Sequence, residues 1–286
     1  MTLEPGDSKA ILITGCSTGI GRATALHLAK RDGFAIYATA RQLESLAELE
    51  RAGCRTLALD VCDEASMHGV VTAIEQQHGS VWGLVNNAGY SQSGAVESIP
   101  IESLRNQFET NVFGLVRLCQ LVLPGMRDAG EGRIVNLSSM GGKFTFPGRG
   151  AYHGTKYAVE ALSDAMRFEV KGFGIDVVLI EPGLITTSFG DTAVGSIDAA
   201  GDEGPYGKFN AAVAKATAEA YSGPMAKLGA GPESVARKIE TALTEARPRP
   251  RYTVTPSAKA VIVLRRLLSD RMWDRVMATQ FRRPGR

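Results

Sequence analysis

The chain has 286 residues, 44% of them apolar and 22% charged, close to the globular average. That length allows one or two domains, and the composition excludes whole-chain disorder, collagen-like repeats and coiled coil. With 32 Lys and Arg against 30 Asp and Glu the formal charge is +2, so the balance carries no whole-chain signal for nucleic acid.

Apolar runs alternate with amphipathic stretches along the chain. Ala10–Thr14 reads as a strand and Ile20–Arg31 as a helix. Phe34–Ala40 is a second strand, with a helix over about 43–52. Thr56–Leu59 is a third, with a helix over about 64–77. Val81–Val85 is a fourth, followed by a long helix over about 101–123. Arg133–Leu137 is a fifth, with a helix over about 151–171, and Ile175–Ile180 is a sixth. Strands apolar on both faces and separated by helices define a parallel sheet covered on both sides. Right-handed crossovers then give an α/β, doubly wound Rossmann-type sheet.

After Pro182 and Gly183 the pattern breaks. Residues 188–231 are rich in Gly, Ala and small polar residues, with a weak helix near 210–221, and a segment that long inside a compact domain reads as a functional lid. A helix over 232–246 begins with Pro, as helix geometry allows, and Arg251–Thr255 is a candidate seventh strand. The expected organisation is one catalytic domain over 9–255 and a basic C-terminal helical extension over 256–286.

Between Arg247 and Arg286 lie ten Arg and one Lys but only two Asp. Ala260, Val263, Leu264, Leu267 and Leu268 give the extension one apolar helical face. Packing of that face on the body is the favoured reading, and contact with a lipid surface is the alternative. Cys16, Cys54, Cys62 and Cys119 form no CxxC and do not cluster with the four His. Neither a disulfide framework nor a metal site is expected, and reduced thiols suit a cytoplasmic protein. Met1–Lys9 has no apolar core, so it is not a signal peptide. The longest apolar run, Ala260–Leu264, is far short of the roughly 18–20 residues of a membrane span, so the chain is expected to be soluble.

Between the first strand and first helix stands Thr14-Gly15-Cys16-Ser17-Thr18-Gly19-Ile20-Gly21. Glycines let a backbone turn tightly and approach a pyrophosphate, and a helix N-terminus offers free N–H groups and a positive dipole end. At the end of the second strand, an acid reads the ribose 2′-OH of NAD, whereas Arg accommodates the 2′-phosphate of NADP. No acid occurs from Phe34 to Leu43, and Arg41 follows the strand at once. Its planar fork suits phosphate oxygens, and Ser17 and Thr18 offer hydroxyls to the same group. NADP(H) is therefore favoured over NAD(H). Asp60, with Val61 after it, ends the third strand where the adenine ring is expected, and it can either accept from the adenine amino group or cap the following turn.

Tyr152 and Lys156 stand at i and i+4 on one face of the helix that follows the fifth strand. At roughly 4 Å and an effective dielectric near 20, the Coulomb term between ammonium and phenolate is about 4 kcal/mol, or about 3 pKa units. Desolvation opposes part of it. The balance moves a phenol toward neutrality, where a general acid–base works best. Ser138 and Ser139 lie just past the fifth strand, and Asn86-Asn87-Ala88-Gly89 ends the fourth at the same sheet edge. Asn111 sits inside the long helix although Asn is a poor helix former.

Together these residues resemble the short-chain dehydrogenase/reductase family, in the oxidoreductase branch marked by TGxxxGIG and YxxxK, over about residues 9–187. The resemblance implies that Tyr152 is the proton donor and acceptor, and that Lys156 lowers its pKa and binds the nicotinamide ribose. It implies that Ser139 holds the reacting oxygen and Asn111 a water that links Lys156 to bulk. Gly15, Ser17, Thr18, Gly19, Ile20 and Gly21 would cradle the cofactor, and Asn87-Ala88-Gly89 would pack on its adenosine side. Pro182, Gly183, Ile185 and Thr187 match PGxxxT, which meets the nicotinamide amide. TGCSTGIG, the YATAR ending of the second strand and the late Arg251-Tyr252 are similar to the 17β-hydroxysteroid and retinol dehydrogenase group, whose substrates are large and apolar. The substrate wall is expected from Met140–Gly150 and the lid after Thr187, with Ser139, Met140, Phe146 and Tyr152 at the substrate and Phe144, Phe146 and the Ala/Gly/Met-rich lid making an apolar pocket.

The implied function is NADP(H)-dependent interconversion of a ketone or aldehyde and an alcohol, by a homodimer or homotetramer joined through the helices near 101–123 and 151–171. Action on small carbonyls, use of NAD(H), or a non-catalytic NADP(H)-sensing role are the alternatives. A nucleic-acid or membrane-surface binder driven by the basic tail would show steep salt dependence. An epimerase or dehydratase is disfavoured, because the glycine spacing and NNAG match the oxidoreductase branch.

Overall fold

The computed structural model describes residues 8–187, 189–198, 204–222 and 229–285. The expected lid falls partly on 188, 199–203 and 223–228, which lie outside the described residues, as do residues 1–7 of the N-terminal segment and Arg286.

Seven strands form one parallel sheet in the order β3-β2-β1-β4-β5-β6-β7. They are β1 (Lys9–Ile13), β2 (Phe34–Ala40), β3 (Arg55–Ala58), β4 (Gly83–Asn86), β5 (Gly132–Leu137), β6 (Ile175–Glu181) and β7 (Arg251–Thr253). Side chains alternate across a strand, and β1 shows why both faces must be apolar. Ile11 and Ile13 enter one core and Ala10 and Leu12 the other. The first core packs under α1 (Gly19–Leu28), α2 (Ala47–Arg51) and α9 (Pro232–Thr244). The second packs under α3 (Glu64–His78), α5 (Gly114–Ala129) and α6 (Gly150–Glu169). This is the expected doubly wound Rossmann-type sheet, with its switch point between β1 and β4.

Four local features differ from the sequence expectation. The segment over 43–52 is a 3₁₀ turn, Leu43–Leu46, running into the short α2. The long helix over 101–123 is broken into α4 (Ile101–Phe108) and α5 by a π-helical turn, Glu109–Phe113. The described part of the lid holds two helices, α7 (Phe189–Asp198) and α8 (Gly207–Ser222). The C-terminal extension is also a pair, α10 (Pro256–Leu267) and α11 (Asp270–Gln280), capped by the Thr255 and Ser269 side chains.

The inward face of α10 is not the one its apolar spacing suggests. Ala258 and Ile262 are buried, with Val261 packed beside them, whereas Val263, Leu264 and Leu267 face solvent. α10 carries apolar residues on two sides, and periodicity alone does not choose between them. The choice is made by a third core of Phe144, Ile262, Trp273 and Met277. Phe146 stacks on Trp273 with ring centroids 6.2 Å apart, and Trp273 Nε1 donates to the Thr145 carbonyl at 3.2 Å. Trp273→Ala is expected to remove about 3–5 kcal/mol of packing from this cluster. Hydrogen exchange should then show α10 and α11 losing protection while β1–β6 keep theirs.

Candidate active site

Because all strands are parallel, their C-terminal ends share one edge, and the chain leaves β1 and β4 in opposite directions there. That edge opens into one continuous cleft of ≈ 1510 Å³, larger than the roughly 300–1,000 Å³ that one drug-sized ligand occupies. It has room for two.

The turn after β1 is held against the end of β4. Thr14 Oγ1 accepts from the backbone N–H of Asn87 and Ala88 at 3.0 and 2.9 Å. Asn87 Nδ2 donates to the carbonyls of Thr14 and Gly15 at 2.8 and 3.1 Å. Gly15 has φ +69°, and a Cβ on Gly21 would lie 2.4 Å from the Gly15 carbonyl oxygen. Only glycines permit the loop to fold back this closely, and the first turn of α1 is thereby aimed into the cleft. Arg41 is exposed at the end of β2 and lines the same cleft.

Tyr152 and Lys156 lie on one face of α6, and both are buried. Lys156 Nζ donates to the Leu137 carbonyl at 2.7 Å and lies 5.8 Å from the Tyr152 ring centroid. Burial pushes its pKa from 10.5 down to about 8, while the nearby Glu160 carboxylate opposes the fall. At pH 7 the ammonium is still the major form. Ser139 follows β5, and its Oγ accepts from the Gly141 N–H at 3.1 Å. Phe189, the first residue of α7, packs on Tyr152 with ring centroids 5.4 Å apart. Burial also pushes the neighbouring His153 down to about 3, so its imidazole is neutral.

A buried polar seam fixes α6 to the sheet. Asn86 Nδ2 donates to Asn136 Oδ1, and Asn136 Nδ2 to Ser163 Oγ, each at 2.9 Å. Deeper along the helix, Glu160 pairs with Lys143 and, at 3.0 Å, with Arg251, while Arg251 reaches Asp164 at 2.5 Å.

The structure brings together at this cleft nearly every residue singled out from the sequence. Gly15, Ser17, Thr18, Gly19, Ile20, Arg41, Asp60, Val61, Asn87, Ala88 and Gly89 line one end. Ser139, Met140, Phe146, Tyr152, Lys156, Pro182, Gly183, Ile185 and Thr187 line the rest. Gly21 and Asn111 stand behind the wall. Asn111 lies in the π turn, 1% exposed. Its amide donates to the Tyr90 carbonyl at 2.9 Å and Thr155 Oγ1 at 3.1 Å, and accepts from the Tyr90 N–H at 3.0 Å. Phe144 is buried in the third core instead of facing the cleft. Arg149 comes from the expected wall segment and Val213 and Thr217 from the expected lid, whereas Val261, Gln280 and Phe281 of the C-terminal helices also line the cleft and were not singled out from the sequence. Arg149 bonds Ser91 Oγ at 3.2 Å and Thr217 Oγ1 at 2.8 Å, tying α6 to α8. Val261, Gln280 and Phe281 come from elements far along the chain, and no local pattern announces them.

A parallel sheet with a glycine turn at its switch point, and a buried Tyr–Lys pair lining the same cleft as a serine, is the make-up of a nucleotide-dependent oxidoreductase. The family model for short chain dehydrogenase matches residues 9–195, and the chain belongs to the short-chain dehydrogenase/reductase family. It is 37% identical over 270 residues to an uncharacterized oxidoreductase, YbbO, of Escherichia coli, covering 94% of each chain. It is 34% identical to an NADPH-dependent 3-dehydrocapnine reductase of Ornithobacterium rhinotracheale, over 93% of this chain and 94% of the relative. A solved short-chain dehydrogenase from Streptomyces avermitilis superposes with a TM-score of 0.77 at 32% identity, over 95% and 96% of the two chains.

The depressed Lys156 pKa carries a sign. Between about pH 8 and 10.5 the unfolded chain holds a proton on this lysine that the folded chain has released, so its burial penalty fades and stability rises with pH through that window. Lys156→Met should raise the melting temperature at pH 7, and the difference between variant and wild type should shrink from pH 8 to 10. Melting curves of both across that range test it.

Proposed function

We propose that the protein is an NADP(H)-dependent oxidoreductase that interconverts a ketone or aldehyde and an alcohol, on an apolar substrate. The observation that carries this reading is the convergence of Ser139, Tyr152 and Lys156 on the cleft that also receives the glycine turn and Arg41.

The residues fit a dinucleotide. Gly15 and Gly19 have positive φ, and a Cβ at Gly15 would fill space against Ala88 Cα at 2.9 Å. Ser17, Thr18, Ile20 and Gly21 would bring the pyrophosphate to the start of α1. Arg41 would meet the 2′-phosphate, Asp60 and Val61 the adenine, and Asn87-Ala88-Gly89 the adenosine side. Pro182, Gly183, Ile185 and Thr187 would face the nicotinamide amide. The relative named as NADPH-dependent supports NADP(H) over NAD(H). When bound, the dihydronicotinamide supplies a hydride to the carbonyl carbon.

The chain's own part is orientation and proton supply. The Ser139 and Tyr152 hydroxyls donate to the carbonyl oxygen and stabilise the charge that develops there. Tyr152 then yields its phenolic proton to that oxygen. Lys156 would favour the phenolate and hold the nicotinamide ribose hydroxyls of a bound cofactor, and with Asn111 nearby it would relay the proton to bulk water. Met140, Phe146, Phe189, Val213 and Val261 give the far end of the cleft an apolar wall, which supports a bulky apolar ketone such as a steroid or retinoid.

The exposed Phe113, Tyr157, Leu162 and Phe168 support assembly as a homodimer or homotetramer through α5 and α6. Residues 9–255 form the catalytic unit with the lid over 188–231, and 256–286 the basic extension. Among the described residues no helix is long and apolar enough to cross a membrane, and the four cysteines are free thiols. A cytoplasmic setting agrees with both.

NADPH oxidation at 340 nm against steroid ketones, retinal, simple aldehydes and quinones tests the reading. Turnover of the small carbonyls alone would discard the apolar substrate and keep the mechanism. Tyr152→Phe should cut turnover at least a hundred-fold, within the range for loss of a general acid, with NADPH binding by fluorescence nearly unchanged. Arg41→Asp removes charge-assisted hydrogen bonds worth roughly 10–100-fold in affinity. The NADPH-to-NADH ratio of kcat/KM should fall by about that factor, and an unchanged ratio would show that Arg41 does not read the phosphate.

A further inference from the structure

The outer side of the C-terminal helix pair combines bare apolar residues with cations that outnumber the acids beside them. On α10, Ala260, Val263, Leu264 and Leu267 follow helical three–four spacing and share a face. Val263 is 53% exposed, Leu264 45% and Leu267 78%. Lys259 and Arg266, both exposed, lie one turn to either side of Val263. On α11, Arg271 and Arg275 stand at i and i+4, both exposed, and Met272 beside them is 47% exposed. The acids on this pair are Asp270, held by Arg265 at 2.5 Å, and Asp274. The opposite side of each helix is already used in the core with Phe144. The outward residues therefore add nothing to folding of the single chain.

The position of this face matters as much as its composition. Ser257 and Val261 of α10, with Gln280 and Phe281 at the end of α11, line the same cleft that receives Tyr152. One helix pair thus forms the cleft wall on its inner side and a basic, apolar surface on its outer side. Helices that lie in the plane of a lipid interface have this make-up, apolar residues entering the acyl boundary and flanking Lys and Arg meeting anionic headgroups. A second copy of the chain is a poor occupant. A two-fold contact is self-complementary by symmetry, and it would press two faces of the same net positive charge together, with Lys259, Arg266, Arg271 and Arg275 on each.

We propose that the outer face of α10 and α11 docks on an anionic lipid bilayer and brings the end of the cleft to the membrane surface. Docking there gives an apolar substrate dissolved in the bilayer a route into the cleft that avoids water. That last step rests on the function proposed above, while the docking itself does not.

The test is co-sedimentation of the full chain with mixed phosphatidylglycerol–phosphatidylcholine vesicles, against pure phosphatidylcholine vesicles. Each surface cation contributes about five-fold to partition onto an anionic membrane. Arg266→Glu/Arg271→Glu/Arg275→Glu should therefore lower binding at least about a hundred-fold, and Val263→Asp/Leu267→Asp should also abolish it. All five side chains are exposed, so folding is not at stake. Arg237→Glu/Lys238→Glu on α9 should leave binding unchanged, and high salt should weaken it in the wild type. Absence of binding to the mixed vesicles, or binding that both α10–α11 variants leave intact, overturns the proposal. So does a shift to smaller oligomers in Val263→Asp/Leu267→Asp without vesicle binding by the wild type, which would assign the face to contact between copies. Tyr152→Phe should bind vesicles like the wild type, so failure of the catalytic reading and failure of docking are separately visible.

Discussion

The clamp between the ends of β1 and β4 is the constraint on which the rest of the molecule depends. A parallel sheet wound in both directions must part its crossovers somewhere, and here they part after Ile13 and after Asn86. Left alone, the parting would expose backbone donors and acceptors. Thr14 and Asn87 satisfy one another's backbone across it, and the satisfied gap becomes the floor of a cleft. The glycines follow from that closeness. At Gly21 a side chain would meet the Gly15 carbonyl, so the loop cannot both make the clamp and carry bulk.

The second organising element is α6, whose apolar and polar faces have separate tasks. Val159 enters a core, while Ser163, Glu160, Lys156 and Tyr152 are polar and buried. Burying so many polar groups is costly unless each finds a partner. Asn136 supplies one, the Leu137 carbonyl another, and Lys143 with Arg251 a third. Lys156 still bears a desolvation penalty, visible in its lowered pKa. The fold tolerates a destabilised lysine on the face of α6 that also carries Tyr152 into the cleft.

The π turn at Asn111 and the C-terminal helices show two ways in which tertiary structure modifies a regular pattern. Asn111 is an awkward residue for a long helix. The helix widens by one residue there, and the amide turns inward to hold the Tyr90 carbonyl and Thr155 of α6. In α10 the apolar stripe with the cleanest spacing is left outside, because the aromatic cluster around Trp273 captures the other side. Sheet and π turn act on the site from behind; the helix pair closes it from the front.

The sequence by itself determined the alternation of strands and helices, the sheet class and the position of the glycine turn. It also singled out the residues from Ser17 to Thr187 that line the cleft. These are local properties: period-two runs, glycines at a strand-to-helix junction, and a Tyr and Lys one helical turn apart. In a parallel sheet the strand ends converge whatever the details, so residues just past each strand must meet. Tertiary structure alone decided what lies across the cleft from them. Arg149 with Thr217, and Val261 with Phe281, reach the site from elements far apart in the chain. Which side of α10 is buried depends on Phe144 and Trp273, 129 positions apart. No periodicity within a helix records what will pack against it, and that is why the strand-end side of the cleft was legible residue by residue and the wall opposite it only as segments of chain.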